Sequence, residues 1–102
     1  MFGINDKAYR ILQEYFSRQG EIETVWIYGS RAMGREQAGS DIDFAIVSRA
    51  NRDISGRIKT DLDELPTPYL FDVTDMCFIQ HPPLKEHIER VGKVFYRSTT
   101  KT

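Results

Sequence analysis

A glycine–serine pair followed by two closely spaced aspartates constrains the fold of this chain more than any other feature. Gly29 and Ser30 come directly after residues 24–28, a run of β-branched and aromatic residues that is typical of a strand. The glycine therefore falls where a strand ends and the chain turns, and it allows the backbone to approach a ligand closely. If Ser30 opens a short helix, its hydroxyl and the first free N–H groups form a site that suits phosphate.

The two aspartates, Asp41 and Asp43, lie in a second predicted strand over residues 40–47, after a loop that closes at Gly34 and Gly39. The two-residue period of a strand places both carboxylates on one face and the apolar side chains on the other. Two carboxylates beside a phosphate loop repel each other unless a cation lies between them. The pattern therefore predicts a site for phosphate and for a divalent cation.

A third carboxylate, Asp72, falls within a third predicted strand over residues 69–74. In that strand Phe71 and Val73 face one side, and Asp72 faces the other. Each acidic or turn feature alone has a simpler interpretation, as an ordinary turn, a solvated acidic pair or a surface acid. Their combination favours a functional site, because strands are depleted in aspartate and sites are where chains depart from local rules.

Predicted helices alternate with these strands along the chain. The helices are expected over residues 5–18, 51–65 and 84–91, ended by Gly20, by Pro66 and Pro68, and by Gly92. Pro82 and Pro83 open the last helix, a short extended segment over residues 94–96 follows it, and residues 98–102 are expected to fray. The first strand, apolar on both faces, is expected in the middle of the sheet. This order predicts an α/β fold of the mixed α+β type, with helices packed on one face of a small mixed sheet and the acids on the other.

Composition narrows the class of protein. A chain of 102 residues that is 40% hydrophobic is expected to form one domain over residues 1–102. Its net charge of −1 gives no general attraction to nucleic acid or to anionic membranes, and it shows neither an apolar run of membrane-spanning length nor a signal-peptide pattern. The single cysteine, Cys77, excludes an internal disulfide framework and favours the cytoplasm. Cys77 is expected to be buried and unreactive, and His81 and His87 to be surface residues without ligand partners.

The motif resembles the signature of the nucleotidyltransferase superfamily typified by DNA polymerase beta. This chain carries that signature as Gly29 and Ser30, ten further residues, and Asp41-Ile42-Asp43. The short length resembles the minimal (MNT) branch, which includes MntA-like antitoxins. The resemblance covers nearly the whole chain, from the leading helix to the third strand, and implies a polymerase beta-type nucleotidyltransferase fold.

The resemblance also implies roles for individual residues. Those implied to bind nucleotide phosphate are Gly29, Ser30 and Arg31. Those implied to be catalytic and to bind metal are Asp41, Asp43 and Asp72. Met33 stands where relatives often carry a second arginine. The implied cofactor is Mg²⁺ or Mn²⁺ rather than zinc, because the ligands are all hard oxygens, and the implied substrate is a nucleoside triphosphate such as ATP.

The resemblance implies a protein partner as well. Members of the minimal branch act with a HEPN-domain toxin and transfer AMP to a tyrosine of that toxin, so an antitoxin working within a hetero-oligomer is expected. Two alternatives stay open. The chain could be a binding module that neutralises a HEPN partner by contact alone. It could also modify a small molecule of the aminoglycoside type, with an acceptor pocket formed by a homodimer.

Overall fold

The computed structural model describes residues 2–34 and 41–99, which form three α-helices, one 3-10 turn and a four-stranded sheet. In chain order the elements are α1 (Asp6–Ser17), β1 (Ile22–Tyr28), β2 (Ile42–Ser48), α2 (Ser55–Asp63), β3 (Phe71–Asp75), the 3-10 turn (Met76–Phe78), α3 (Pro82–Val91) and β4 (Lys93–Arg97). The predicted loop end at Gly39 and strand start at residue 40 lie outside the described residues. No helix within the described ranges is long and apolar enough to cross a membrane.

The sheet is mixed, as the sequence predicts. Its strand order is β3-β2-β1-β4, and β1 is antiparallel to both of its neighbours. Only the β2–β3 pair is parallel among the pairs within the described chain. The expected central position of β1 is confirmed, and the predicted extended segment near residue 95 is the edge strand β4.

The main core lies between one face of the sheet and the helices α1 and α2. Phe44 of β2 is at its centre, with ring centroids 5.4 Å from Phe16, 4.8 Å from Phe95 and 5.9 Å from Phe71. Helix α1 contributes residues at three- and four-residue spacing, which is the pattern that predicts it. This packing fixes which face of β2 and β3 is buried, and therefore which face carries the aspartates.

Helix α3 corrects the expectation that all helices pack on one face. It lies on the opposite side of the sheet, where Ile88 is buried together with Tyr28 and Ala45, and Trp26 packs against them. The physical reason is in β1, whose aromatic side chains Trp26 and Tyr28 point away from the main core and need apolar cover. The face that carries the aspartates is therefore partly covered by a helix.

Side-chain hydrogen bonds lie at the starts of α1 and α2. Asn5 caps α1, and its Oδ1 accepts a 2.8 Å hydrogen bond from the backbone N–H of Ala8. Helix α2 begins at Ser55 rather than at residue 51. Asp53 accepts hydrogen bonds from the backbone N–H and the hydroxyl of Ser55 at 2.9 and 2.7 Å, which stabilises a turn before the helix.

Cys77 is exposed, so the expectation that it is buried is wrong. It lies in the 3-10 turn that follows β3, a feature that the apolar stretch around it does not predict. The turn forms because Asp75, at the end of β3, accepts a hydrogen bond from the backbone N–H of Cys77 at 3.1 Å.

Candidate active site

The Gly29–Ser30 pair lies where the sequence places it, at the turn that follows β1. Gly29 has φ +77°, a conformation that favours glycine. The backbone N–H of Met33 donates to the carbonyl of Gly29 at 3.3 Å, and that of Gly34 donates to the carbonyl of Arg31 at 3.4 Å. These bonds form successive turns rather than a regular helix, so the expectation that Ser30 opens a helix is corrected to a tight loop.

Gly29 is required by a neighbouring side chain as well as by its backbone angle. A Cβ atom at this position would overlap Oδ2 of Asp43 and lie 3.3 Å from its Cγ. The residue before it, Tyr28, is the register partner of Asp43 in the β1–β2 pair. The carboxylate of Asp43 therefore lies directly against the glycine turn, which explains why the two halves of the motif occur together.

Asp43 and Asp72 lie side by side on the two parallel strands. They are register partners in the β2–β3 pair, so their side chains project from the same face of the sheet. Asp43 is half-buried and Asp72 is exposed. Asp41 precedes β2 and is exposed, so it lies outside the strand in which it was expected.

The charges of these aspartates act on one another. Burial, followed by the negative charges of Asp72 and Asp41, raises the pKa of Asp43 above its ordinary value. The positive charge of Arg31 opposes this rise. Asp43 is therefore a carboxylate whose charged form is destabilised by its surroundings, a condition that a bound cation relieves.

The donor set fits a hard divalent cation, because the groups that converge here are carboxylate oxygens under mutual repulsion. Among residues 2–34 and 41–99, however, no group of three or more His, Cys, Asp or Glu side chains is arranged to hold a metal ion. The structure brings Asp43 and Asp72 together as a pair, and the charge of Asp41 acts on Asp43. The three-aspartate metal site stays a prediction.

Arg31 and Met33 point in different directions. Arg31 is only 5% exposed, and its Nη1 donates a 3.1 Å hydrogen bond to the backbone carbonyl of Phe2. Its guanidinium carbon lies 5.1 Å from the centroid of the Tyr69 ring. Met33 is 41% exposed at the surface of the same turn.

Sequence reasoning misses two side chains next to the aspartates. The hydroxyl of Tyr28 lies 3.4 Å from that of Thr74, and Ala45, the register partner of Thr74, belongs to the buried cluster around Tyr28. Burial raises the pKa of the Tyr28 hydroxyl above its ordinary value. A tyrosine immediately before the glycine turn is the signal that could have indicated a polar group on this face.

Asp75 is a further acid that the motif does not include. It is 2% exposed at the end of β3, and one carboxylate oxygen accepts 3.4 Å hydrogen bonds from the hydroxyl of Ser48 and the backbone N–H of Ile54. These contacts connect β3 to the end of β2 and to the start of α2. Asp75 therefore has a structural role, whereas Asp72, three residues earlier, projects from the face that carries Asp43.

The model of a protein family described as polymerase beta, nucleotidyltransferase, matches residues 11–101 of the chain. The chain belongs to this nucleotidyltransferase family. The match spans the glycine turn, both strands that carry the paired aspartates and the edge strand β4. Among curated proteins, none has a sequence that matches this nucleotidyltransferase.

Solved structures share the fold. A chain in the crystal structure of a toxin–antitoxin complex with AMP-PNP has a TM-score of 0.64 and 17% identity, over 93% of this chain and 76% of that one. One in the structure of a tri-AMPylated Shewanella oneidensis HEPN toxin in complex with MNT antitoxin has a TM-score of 0.56 and 15% identity, over 89% and 70%. A nucleotidyltransferase-like protein of Sulfolobus solfataricus has a TM-score of 0.52 and 23% identity, over 88% and 77%. At these identities the likeness establishes the fold of this nucleotidyltransferase and nothing finer.

Proposed function

We propose that this chain is a metal-dependent adenylyltransferase that moves AMP from ATP to a tyrosine hydroxyl of a HEPN-domain toxin. The observation that carries the proposal is the pairing of Asp43 with Asp72 on one open face, with the Gly29 turn against Asp43. Carboxylates in this arrangement suit a reaction in which negative charge collects on phosphate oxygens. Two like charges directly opposite each other on paired strands lower stability, so a purely structural role does not explain these acids.

The residues have separate tasks in the proposed reaction. Asp41, Asp43 and Asp72 would hold Mg²⁺ or Mn²⁺, which supplies positive charge for the phosphate oxygens when it is bound. The backbone of Gly29 and the hydroxyl of Ser30 bind the triphosphate. We assign to the carboxylate of Asp72 the task of accepting the proton of the incoming hydroxyl, and its exposure at the sheet edge supports this role. The acceptor oxygen then bonds to the α-phosphorus, and the bond to pyrophosphate breaks.

The comparisons support the nucleotide and the partner. One structure with this fold is described with AMP-PNP, an analogue of ATP, and another contains an AMPylated HEPN toxin bound to an MNT antitoxin. Carried to this chain, these properties give ATP as the donor, a HEPN protein as the acceptor and a hetero-oligomer as the working form. We propose the cytoplasm as its location, in line with the single cysteine.

The test is the intact mass of the HEPN partner after co-expression. The gene neighbouring that of this chain is the first place to seek this partner. With the wild-type chain, the partner should gain one or more AMP groups, and peptide mapping should place them on tyrosine. With the Asp41→Asn, Asp43→Asn double variant, the partner mass should stay unchanged. A partner that is unmodified by the folded wild-type chain, with ATP and Mg²⁺ present, would contradict the proposal.

A second candidate function is neutralisation of the partner by contact alone. It is favoured by one observation, namely that the apolar side chain of Leu70 is 66% exposed at the edge of the sheet, where a partner can contact it. On this alternative the aspartates serve no chemical purpose. The double variant should then neutralise the toxin as well as the wild-type chain does.

A further inference from the structure

The side chain of Arg31 is buried in the protein, where it contacts Phe2 and Tyr69. Its guanidinium donates to the carbonyl of Phe2 at 3.1 Å and lies over the ring of Tyr69, with 5.1 Å from Cζ to the ring centroid. With 5% exposure, it is committed to protein groups. A side chain that binds a phosphate arriving from solvent needs its donors at the surface, and this one does not present them there.

Tyr69 continues the connection toward the first helix. Its hydroxyl accepts a 3.1 Å hydrogen bond from the backbone N–H of Asn5 and lies 3.5 Å from the Asn5 side-chain nitrogen. Asn5 is the residue that caps α1. Tyr69 also precedes β3 by two residues and Asp72 by three. One ring therefore contacts Arg31 on its face and holds the start of α1 through its hydroxyl.

The segment that Arg31 reaches has an unusual backbone. Phe2 has φ +58°, which is uncommon for a residue with a side chain, and Gly3 has φ +72°. A conformation of this kind persists only where surrounding contacts hold it. The contacts of Phe2 are the hydrogen bond from Arg31 and the packing of its ring against the core, with its centroid 6.2 Å from that of Phe95.

We propose that Arg31 is a positioning residue that fastens the Gly29 turn to the N-terminal segment and to the approach to β3. The connection runs from the turn through Arg31 to Phe2, and through Tyr69 to Asn5. It holds Ser30, one residue before Arg31, and Asp72, three residues after Tyr69, in a fixed relation. Its value for catalysis rests on the proposed nucleotidyl transfer, but the connection itself does not.

The experiment measures amide hydrogen exchange in the full-length, ligand-free chain, so its result is independent of any activity. The informative amides are those of Met33 and Gly34, which are hydrogen-bonded within the turn, and that of Asn5, which is bonded to Tyr69. In Arg31→Met, which keeps an apolar stem and removes the guanidinium, exchange at Met33 and Gly34 should rise about tenfold. Amides of β1 and β2 serve as internal controls for global unfolding.

Two variants of Tyr69 separate the parts of the connection. Tyr69→Leu removes the ring beneath Arg31 and should accelerate exchange at Met33 and Gly34 as Arg31→Met does. Tyr69→Phe keeps the ring and removes the hydroxyl, so only Asn5 should exchange faster. Combining Arg31→Met with Tyr69→Leu should give less than the product of the two single effects, because both variants break the same connection.

A direct phosphate contact predicts the opposite pattern. In that case Arg31→Met would weaken ATP binding while exchange at Met33 and Gly34 stayed at the wild-type rate, and Tyr69→Leu would leave both unchanged. That result would overturn the proposal. Weakened ATP binding together with faster exchange in both Arg31→Met and Tyr69→Leu would support it. Absence of transfer in the wild-type chain would contradict the proposed function and leave the exchange result standing.

Discussion

At the scale of single residues, the site depends on the contact between Gly29 and Asp43. The sequence interpretation gives the glycine a role toward phosphate, and the structure adds a role toward the carboxylate that lies against it. Two demands then act on one position, namely a positive φ and the absence of a Cβ atom. Both can be tested separately, because another glycine of the same turn meets only the first.

We expect Gly29→Ala to lower the free energy of unfolding by about 2–4 kcal/mol, since backbone strain and overlap with Asp43 add. Gly34→Ala is the matched control. Gly34 has φ +70°, but its added Cβ would meet nothing within 4 Å among the described residues, so the cost should be about 1 kcal/mol. Urea denaturation measures both. In an Asp43→Ala background the difference between the two glycine variants should largely disappear, and its persistence would contradict the proposed overlap.

The raised pKa of Asp43 predicts how stability depends on pH. Because the folded protein favours the protonated carboxyl, its stabilising contribution is present at low pH and is lost as pH rises through the folded-state pKa. In buffer that contains a metal chelator, the Asp43→Asn variant should therefore melt at a higher temperature than the wild-type chain at neutral pH. The wild-type chain should also lose stability relative to Asp43→Asn as pH rises from acid toward neutral.

Addition of Mg²⁺ or Mn²⁺ should reverse this order. A cation that binds only the folded state raises the melting temperature by mass action, and Asp43→Asn should show little of that rise. Differential scanning calorimetry with and without the metal gives the comparison. Equal rises in both proteins would remove Asp43 from the proposed metal ligands.

The face of the sheet on which an aspartate lies could be predicted only where alternation with apolar residues decides it. The faces of Asp43 and Asp72 follow from apolar residues that alternate with them, and the structure places both on one face as expected. Asp75 has the same residue type and lies in the same strand, yet it is buried. Its position depends on the backbone N–H of Ile54, which becomes a neighbour only through the tertiary fold.

At the scale of elements, α1 and α2 are joined by a partly buried polar contact beside their apolar packing. The hydroxyl of Tyr15 donates a 2.7 Å hydrogen bond to the carboxylate of Asp61. Burial, followed by this bond, raises the pKa of Tyr15 well above its ordinary value. Arg57 lies 3.6 Å from the same carboxylate, but it is exposed and contributes less.

Tyr15→Phe should lower the free energy of unfolding by about 1–2 kcal/mol, because it removes a bond to a charged acceptor without changing the ring. Tyr9→Phe is the control. Tyr9 lies on the same helix, with its ring centroid 5.2 Å from that of Phe95, and its hydroxyl has no hydrogen bond among the described residues. We expect that variant to change stability by less than about 0.5 kcal/mol. Equal losses in the two variants, measured by urea denaturation, would count against the role of the hydrogen bond.

The order and type of the α-helices and strands could be predicted because each has a strong local signal. Asn5 caps α1, prolines open α3, and the alternation of β2 is clear. The side of the sheet on which α3 packs could not be predicted, since that choice follows from pairing between strands far apart in sequence. Trp26 and Tyr28 on the outer face of β1 indicate that a helix must cover this face. The periodicity of the sequence does not indicate which helix does so.

At the scale of the whole molecule, the paired aspartates lie beside an edge of the sheet. The strand order leaves β3 at that edge, so Asp72 is reachable from solvent, whereas Asp43 lies one strand further in. Leu70, immediately before β3, is an exposed apolar side chain at the same edge. If the proposed function holds, an acceptor side chain carried by another protein would reach Asp72 without opening the fold.

The two candidate functions differ in which physical step protects a cell from the partner toxin, and one pair of measurements separates them. The Asp41→Asn, Asp43→Asn variant keeps side-chain volume and removes two negative charges, so it should leave a contact surface largely unchanged. We expect this variant to bind the HEPN partner within about threefold of the wild-type affinity by calorimetry, a change of less than 1 kcal/mol. It should nevertheless fail to restore growth when the toxin is expressed. If it binds and restores growth fully, contact alone is sufficient and adenylylation is not needed. The matched control is Asp63→Asn on α2, which removes a surface charge whose partner is Lys59 at 2.8 Å and should preserve both binding and growth.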